Sequence, residues 1–370
     1  MRKFRSRSWF PSLVQRGPRL IVTNAENVLP VPWTALTSVL PSELISICAA
    51  KSEPILVEQF PDHPRVFRIA FSEGDQDGLT SSSIVLKLAT EWESWAQVAV
   101  HSRVADVVPR VFGTLPHESN FPLGTVAILM EALTPSIPQV GVSVNSRQPI
   151  PHPKASYMRA IQKLAAVHHA FEGVDDSALR RVSFEGLVNT VSAIPDLLTF
   201  LIAAGLELES ALVDEVRTIG THVYEHIYRC SGTPARTLVH LDFHPFNVLL
   251  SASGAPRIID WGSAAWGACE LDLAMCDAEQ VRIYFDARAS LSNTDPNGGY
   301  ARLRSAVIVR MYEFIAAASG VLFGAAPVVR GDVMLNSIPL YVERLVSAAS
   351  ANEFMGGEPI ADMLRKTVRI

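Results

Sequence analysis

The N-terminal third of the chain contains short runs of apolar residues separated by turn-forming and polar residues, a pattern typical of β-strands. Five runs predict strands, and they are Ile55–Phe60, Val66–Phe71, Ser83–Leu88, Val108–Gly113 and Ala127–Met130. Between the third and fourth runs, Trp92, Trp95 and Val98 recur three residues apart, which predicts a helix with this apolar face against the sheet. The order of elements predicts a small α+β domain with a mainly antiparallel sheet.

The rest of the chain is dominated by apolar residues at helical spacing. After a connector rich in Pro, Val and Ser at 134–153, five helices are predicted: Ala155–Phe171, Phe184–Ala204, Leu208–Cys230, Tyr300–Ser319 and Met334–Ala351. One short strand interlude interrupts them, with strands at Asn247–Leu250 and Arg257–Asp260. The pattern therefore predicts a small sheet domain followed by a larger, mainly helical domain.

The composition agrees with a folded chain of two unequal domains. Of the 370 residues, 48% are hydrophobic and 19% are charged, which is enough apolar material for a sizeable core. The formal net charge of −5 gives no reason to expect a nucleic-acid-binding surface. The longest uncharged apolar run near the C-terminus, Phe314–Val329, is shorter than the roughly 20 residues that span a bilayer. No membrane span is therefore expected.

The first residues of the chain are basic. Six Lys or Arg residues precede the first acid, Glu26, without the apolar core of a secretory signal. We interpret residues 1–35 as a basic tail that is either disordered or a mitochondrial transit peptide. The four cysteines show neither a CxxC pair nor zinc-ligand spacing, which indicates reduced thiols inside a cell. The expected location is the cytoplasm, with the mitochondrion as the alternative, and the oligomeric state is left open.

The candidate chemistry lies between His240 and Asp260, in the sequence HLDFHPFNVLLSASGAPRIID. His240 stands two residues before Asp242, and Asn247 follows five residues after Asp242. This spacing matches the H-x-D-x-x-x-x-N loop that positions a phosphoryl acceptor in kinases. Two predicted strands with a turn between them then lead to Asp260.

Phosphoryl transfer requires these residue types. One carboxylate must accept the proton of the acceptor group, and oxygen ligands must hold Mg²⁺ against the phosphates. A hairpin with Asn247 at its entry and Asp260 at its exit would bring two such ligands close together, with Asp242 beside them. The competing interpretation is a surface loop with incidental polar residues, which leaves three polar groups around apolar strands unexplained.

This segment resembles the catalytic region of the aminoglycoside phosphotransferase and choline kinase superfamily, whose pattern is HGDxHxxNxL followed by a strand ending in IDW. The matching residues are His240–Leu249 and Ile259–Trp261, and Trp266–Ala274 resembles the family's glycine-then-DLA segment. The resemblance implies a bilobal protein-kinase-like fold of class α+β. It makes 36–133 the nucleotide-binding N-lobe and 134–370 a helical C-lobe with the catalytic loop and the substrate site.

The resemblance also implies nucleotide-binding residues upstream. Lys87 is similar to the strand lysine that contacts the α- and β-phosphates of ATP. Its carboxylate partner on the following helix is expected to be Glu91, which fits the family's spacing of an acid followed by apolar residues. Glu93 is the alternative, because Glu91 lies only four residues after Lys87. The segment that contains Glu131 and Leu133 resembles the linker strand whose backbone binds adenine.

Further roles follow from the same resemblance. Asp242 is the expected catalytic base, and Asn247 and Asp260 are the expected ligands of Mg²⁺. His240 and His244 are expected to support the loop, with the role of His244 open, and Asp272 to brace it.

Two features depart from the family pattern. Leu241 replaces a small residue, which we expect to alter packing only. The turn at 60–65 lacks the glycine of a phosphate-covering loop.

The sequence therefore predicts an ATP-dependent enzyme that phosphorylates a hydroxyl or amine of a small molecule, such as an aminoglycoside, amino alcohol, sugar or natural product. The acids Asp277, Glu279 and Asp286 would suit a polycationic acceptor, although charges on a helix more often form a solvated face. Aromatic residues that would suit choline-like acceptors are also present. The alternative is a kinase-like nucleotide-binding or interaction module without transfer activity. A protein kinase is disfavoured because the chain has no Gly-rich loop and no APE motif.

Overall fold

The structure of the protein, a computed structural model, describes only part of the chain. The described residues are 29–40, 42, 56–60, 63–70, 83–104, 106–116, 124–135, 154–174, 184–231, 236–292, 296–318 and 338–350. The basic segment 1–28 and most of the connector predicted at 134–153 lie outside them.

Ten strands are described. In chain order they are β1 (Leu56–Phe60), β2 (His63–Ala70), β3 (Ser83–Thr90), β4 (Val111–Leu115), β5 (Thr125–Glu131), β6 (Thr134–Pro135), β7 (Arg236–Val239), β8 (Val248–Leu250), β9 (Pro256–Ile258) and β10 (Ala265–Ala268). The five strands predicted in the N-terminal third are present, with ends shifted by a few residues. The sequence missed β7 and β10, which pair with each other.

Eight α-helices are described. In chain order they are α1 (Trp33–Thr37), α2 (Glu91–Arg103), α3 (Lys154–Ala170), α4 (Phe184–Ala203), α5 (Ser210–Ser231), α6 (Ala278–Leu291), α7 (Pro296–Ala318) and α8 (Ile338–Ser350). The five long helices predicted from periodicity are α3, α4, α5, α7 and α8. No helix in the described part of the chain is long and apolar enough to cross a membrane.

The chain divides into two compact units that alternate along the sequence. Unit 1 takes its residues from 1–101, 108–156 and 248–262, and unit 2 from 102–107, 157–247 and 263–370. Unit 1 contains the five-stranded sheet, and unit 2 contains the long helices.

Strand β3 is the central strand of the unit 1 sheet, whose order is β1-β2-β3-β5-β4 with every pair antiparallel. Successive side chains of a strand point to opposite faces of its sheet. Ile84 and Leu86 accordingly join one core cluster, and Val85 and Ala89 join another. Lys87 has the parity of Val85 and Ala89, so the alternation places it on the second face.

Residues near the start of the described chain belong to the first core cluster. Leu29 and Val31 are buried there together with Leu36 of helix α1. Leu29 and Val31 fall within the segment 1–35 that the sequence predicts as a tail. Folded structure therefore begins before residue 36.

Helix α2 packs through a different face from the predicted one. The prediction that Trp92, Trp95 and Val98 face the sheet is wrong: Val98 is exposed, and the two Trp rings stack on each other with centroids 5.1 Å apart. The buried residues of the helix are Glu93, Ser94, Ala96, Gln97 and Val100. The sheet offers polar partners to this face, since Gln97 Nε2 donates to Met130 Sδ at 3.3 Å. Hydrogen bonding thus outweighs apolar spacing in orienting the helix.

Strands β6, β8 and β9 form a small antiparallel sheet in unit 1. The turn between β8 and β9 contains Gly254 at φ +76°, a conformation that glycine adopts without steric cost. Strand β9 ends at Ile258, so Asp260 lies beyond the strand rather than at its end.

Unit 2 is built from helices α3 to α8 with the ribbon of β7 and β10. Helix α7 packs against α5 and α8, and α4 packs against α5. The two ribbon strands are four residues long, and Ala265 and Ala268 have low strand propensity, so the sequence shows little strand signal. Burial of the whole β10 strand within the fold decides the conformation instead.

Candidate active site

The polar side chains of the predicted catalytic loop converge within unit 2. The amide nitrogen Nδ2 of Asn247 lies 2.8 Å from the backbone oxygen of Asp242 and 3.1 Å from its Oδ2. His244 Nε2 lies 3.2 Å from the same Nδ2 and 3.5 Å from Asp242 Oδ1. The structure therefore brings Asp242, His244 and Asn247 together, as their spacing predicts.

The Asp242 carboxylate is fixed on one side and open on the other. Its side chain remains 43% exposed, so a solute can reach it. Asn247 ends a single 3₁₀ turn, Pro245–Asn247, in which its N–H donates to the carbonyl of His244 at 3.0 Å. This short turn returns the chain so that the Asn247 side chain reaches Asp242, five residues earlier.

Asp272 braces the loop by accepting hydrogen bonds from its backbone. Its Oδ2 accepts the backbone N–H of His240 at 2.7 Å, and its Oδ1 accepts the backbone N–H of Leu241 at 2.6 Å. The N–H of Asp242 in turn donates to His240 Nδ1 at 3.2 Å. The roles expected for His240 and Asp272 as supports of the loop have a structural basis in these bonds.

A buried histidine completes this network. His168 of helix α3 contacts Asp272 Oδ2 at 3.0 Å through Nε2, and its Nδ1 lies 2.8 Å from the hydroxyl of Tyr284. Burial alone would raise the pKa of Asp272, but the hydrogen bond and charge of His168, with the contacts of His240, lower it. Asp272 is therefore held as a carboxylate.

Leu241 does more than alter packing, which corrects the sequence-based expectation. Its φ is +61°, in the left-handed region that side chains with a Cβ rarely adopt. The small residue of the family pattern would take this conformation without strain. In this chain, interactions of the surrounding residues must hold Leu241 there.

A second polar group lies in unit 1 around Lys87. The Lys87 ammonium forms an ion pair with Glu93 and a second one with Asp260 Oδ1 at 3.0 Å. Burial would lower the pKa of Lys87, but the charges of Glu93 and Asp260 outweigh it and raise the pKa. For Glu93, burial is the dominant effect and raises the pKa in spite of Lys87.

The expectation that Glu91 is the partner of Lys87 is wrong, and the alternative Glu93 is correct. Helix α2 begins at Glu91 directly after β3, which leaves Glu91 exposed on the first turn. Thr90 precedes the helix, and its Oγ1 accepts the N–H of Glu93 at 3.1 Å. The pattern Thr-x-x-Glu marks a helix start at Thr90, and this signal would have placed Glu91 in the first turn, directly after the strand.

Asp260 occupies a constrained turn after β9. Its φ is +66°, and the following Trp261 is fully buried with its indole N–H donating to the carbonyl of Ile258 at 3.2 Å. Gly262 lies near the same ion pair, since a Cβ at this position would be 3.6 Å from Glu93 Oε2, an ordinary van der Waals distance. The buried indole thus anchors the turn that presents the Asp260 carboxylate to Lys87.

The predicted linker residues have partners within unit 1. The Glu131 carboxylate accepts from Arg257 Nε at 3.0 Å, and its backbone N–H donates to the carbonyl of Arg110 at 2.9 Å. Leu133 is half-buried just after β5. Sequence reasoning missed the role of Arg257, although this residue lies two positions before the motif Ile259–Trp261. The role of Glu131 and Leu133 in nucleotide binding stays a prediction.

Asn247 in unit 2 and Asp260 in unit 1 each carry an oxygen atom of the kind that Mg²⁺ binds. Because Nδ2 of Asn247 is directed at Asp242, its Oδ1 is the atom left for a metal, and Asp260 offers a carboxylate that is 49% exposed. Among the described residues, no group of three or more His, Cys, Asp or Glu side chains forms a metal cluster. A magnesium ion that also binds phosphate oxygens requires only one or two protein ligands.

Two of the acids considered for a polycationic acceptor have structural partners. Asp277 caps helix α6 and accepts the N–H of Gln280 at 2.7 Å. Asp286 lies 3.3 Å from Arg282 one turn earlier on the exposed helix surface. These contacts favour the solvated-face interpretation for both acids.

Solved structures with the same fold include aminoglycoside phosphotransferases. A candidate aminoglycoside phosphotransferase from Ralstonia eutropha JMP134 matches at 17% identity and TM-score 0.53, covering 86% of this chain and 98% of its own. Aminoglycoside 2′-phosphotransferase-IIIa in complex with GDP matches as a single-substitution variant at 14% identity and TM-score 0.51, covering 84% of this chain and 96% of its own. The GDP complex of the wild-type enzyme matches at 14% identity and TM-score 0.51, and the match covers 83% of this chain and 98% of its own. These matches confirm the predicted kinase-like α+β fold class.

The sequence itself identifies the family. The model of the phosphotransferase enzyme family matches residues 87–304, which is more than half of the chain. The matched region begins at Lys87 and includes the catalytic loop, Asp260 and Asp272. The chain belongs to the phosphotransferase enzyme family, as its motifs indicate. A search of curated proteins gave no match.

Proposed function

We propose that this protein transfers the γ-phosphate of ATP to a hydroxyl or amine of a small molecule. The observation that carries the proposal is the half-exposed Asp242 carboxylate, which is fixed by Asn247 at 3.1 Å in a loop braced by Asp272. A carboxylate that is both positioned and open to solutes is what an incoming acceptor group needs. Membership in the phosphotransferase enzyme family supports this chemistry.

Asp242 orients the acceptor group and accepts its proton as the oxygen or nitrogen attacks the γ-phosphorus and ADP leaves. Phosphoryl-transfer transition states are loose, so the position of the carboxylate contributes at least as much as its basicity. His244 lies within 3.5 Å of Asp242 and stabilises its charge when protonated. His240 and Asp272 act through the loop backbone.

Lys87 binds the α- and β-phosphates, with Glu93 holding its ammonium in place. Asn247 and Asp260 would be the residues that hold Mg²⁺, which would neutralise negative charge on the phosphates. Lys87 contacts Asp260 at 3.0 Å, so these two proposed phosphate-site residues lie side by side in unit 1. Glu131 and Leu133 are proposed to line the adenine site.

Two variants test these roles. Asp242→Asn is expected to lower turnover by about 10² to 10⁴-fold at saturating substrate, because positioned proton transfer is lost. The readout is ADP release coupled to NADH oxidation with Mg-ATP and a panel of aminoglycosides, amino alcohols and sugars. Asp260→Ala is expected to abolish magnesium-dependent ATP binding in titration calorimetry. The matched control is Asp196→Asn, because Asp196 is exposed and pairs only loosely with Arg217 at 3.5 Å.

The panel also separates the enzyme from a silent nucleotide-binding module. ADP release that depends on a small molecule supports the enzyme, and nucleotide binding without turnover on any acceptor supports the module. GTP is tested beside ATP as the donor, because two of the similar structures are GDP complexes. Retained turnover in Asp242→Asn would remove Asp242 from the reaction.

A further inference from the structure

Leu241 holds an uncommon backbone conformation beside the proposed catalytic carboxylate. With a φ of +61°, this non-glycine residue lies in the left-handed region, which its Cβ disfavours by a factor of about five to thirty. Its peptide bond to Asp242 determines where the Asp242 side chain starts. Whatever holds Leu241 in this conformation therefore also directs Asp242.

Both backbone polar groups of Leu241 are held by charged side chains. Its N–H donates to Asp272 Oδ1 at 2.6 Å, and its carbonyl accepts from Arg310 Nη2 at 2.5 Å. The carbonyl of Leu241 and the N–H of Asp242 belong to the same peptide group, and that N–H donates to His240 Nδ1. Arg310 and His240 thus hold the two ends of one peptide plane.

Arg310 is itself rigidly placed. It lies on helix α7, is only 9% exposed, and its guanidinium lies over the Phe314 ring at 4.6 Å from the centroid. Its Nη1 forms an ion pair with Glu313. An arginine can make these contacts together because its planar fork carries several N–H donors, whereas a lysine offers a single ammonium.

We propose that Arg310 is a positioning residue, which holds Leu241 in its left-handed conformation and so aims the Asp242 carboxylate at the acceptor. The inference rests on the proposed function of Asp242. Arg310 acts only through the Leu241 carbonyl, so it contributes to turnover and not to nucleotide binding. Nothing in the sequence pattern indicates this role, because Arg310 is remote from the motifs.

The test compares Arg310→Ala and Arg310→Lys in two backgrounds, the wild type and the Leu241→Gly variant. In the wild-type background we expect Arg310→Ala to lower kcat by about 10 to 100-fold, with the KM for ATP changed by less than about threefold. Arg310→Lys keeps the charge and is expected to recover part of the loss. In the Leu241→Gly background, the kcat loss caused by Arg310→Ala should be smaller by at least about fivefold, because glycine takes the left-handed conformation unaided.

The matched control is Arg304→Ala. Arg304 lies on the same helix and also donates to backbone carbonyls, those of Ala348 and Ala349 in helix α8. Its removal is expected to lower the melting temperature without changing kcat. An equal kcat loss in Arg304→Ala, or an equal cost of Arg310→Ala in both backgrounds, would show a general structural effect and overturn the inference.

A second readout keeps the inference distinct from the proposed function. If the wild-type protein turns over no acceptor, the proposed function fails, and hydrogen exchange of peptides covering 240–247 then decides the role of Arg310. Faster exchange there in Arg310→Ala than in Arg304→Ala supports the positioning role. Equal exchange in the two variants, both of them folded, overturns it.

Discussion

At the scale of single residues, the candidate site depends on charges that are partly or fully buried and that each have several partners. The ammonium of Lys87 contacts two carboxylates, and the carboxylate of Asp272 accepts two backbone N–H groups besides its contact with His168. A buried charge is tolerated only when such partners replace its hydration. Removing one member therefore leaves the remaining charges with fewer partners than their burial requires.

Glu93 and Glu91 provide a matched pair for testing the Lys87 site. Glu93→Gln removes the charge that pairs with Lys87 but keeps the side-chain shape. We expect the affinity for Mg-ATP to fall about tenfold, which corresponds to about 1.4 kcal/mol, because Lys87 is then held by Asp260 alone. Glu91→Gln should change the affinity by less than about twofold, since Glu91 is exposed. Titration calorimetry measures both, and equal losses would contradict the assignment of Glu93.

Asp272→Asn is expected to lower the free energy of unfolding by about 3 to 5 kcal/mol, because an amide cannot accept from all the donors that surround this position. The pKa of Asp272 is lowered from 3.8 in the folded protein. Its carboxylate therefore stabilises the fold fully above that pH, and the contribution is lost as the pH falls through the lower folded pKa.

Urea unfolding between pH 7 and pH 3 measures this effect. The difference between wild type and Asp272→Asn should be constant near neutral pH and shrink below about pH 4. A difference that stays constant down to pH 3 would mean that the carboxylate charge is not what stabilises the loop.

At the scale of helices and strands, close packing between α6 and α7 depends on a glycine. A Cβ on Gly299, in the first turn of α7, would lie 2.4 Å from Cε1 of Phe285 in α6. The Phe285 ring is itself packed against Tyr284 and Tyr300, with centroids 5.4 Å and 4.8 Å away. The ring therefore has little room to move aside.

We expect Gly299→Ala to destabilise the protein by about 1 to 3 kcal/mol through overpacking, although alanine favours helices by about 1 kcal/mol over glycine. Thermal unfolding measures the change. Adding Phe285→Leu shortens the obstructing side chain. The double variant should therefore lose less free energy of unfolding than the two single variants lose together. A more stable Gly299→Ala protein would show that the ring yields freely.

The elements that could be predicted from the sequence are those with a clear apolar periodicity. The five long helices follow from apolar periodicity that extends over many residues in each case. Helix α2 misled the same reasoning, because Glu93 and Gln97 are buried through an ion pair and a sulfur contact while Val98 is exposed. The sequence missed the ribbon of β7 and β10, because Ala265 and Ala268 give β10 little strand propensity and its burial decides the conformation.

At the scale of the whole molecule, the two units do not correspond to two continuous stretches of chain. Strand β6 precedes helices α3, α4 and α5, but its partner β8 follows these helices at 248–250, and Asp260 follows β9. Unit 1 is thus incomplete until residues 248–262 are present.

A fragment ending at residue 156 should therefore fail as an independent nucleotide-binding domain. It lacks Asp260, one of the two partners of Lys87, and it lacks strand β8, which pairs with β6. We expect no magnesium-dependent ATP binding in calorimetry and a less cooperative thermal transition than that of the full chain. Binding at the affinity of the full chain would contradict this prediction.

The site was predictable to the extent that its residues belong to one short motif. Asp242 and Asn247 fall within one short loop, so their spacing indicated that these two side chains lie together. Leu241 has a left-handed conformation, and its carbonyl contacts Arg310, which is 69 residues away in the sequence. Such long-range contacts depend on packing that periodicity and motifs do not encode.

The late arrival of strands β8 and β9 has a consequence during synthesis. When β6 leaves the ribosome, more than a hundred residues remain to be translated before its partner strand emerges. Translation adds about 5 to 20 residues per second, so strand β6 has no partner strand for several seconds or longer. During the same interval the Lys87 ammonium lacks its contact with Asp260. The nascent chain therefore needs either rapid collapse of the five-stranded sheet or a chaperone during that interval.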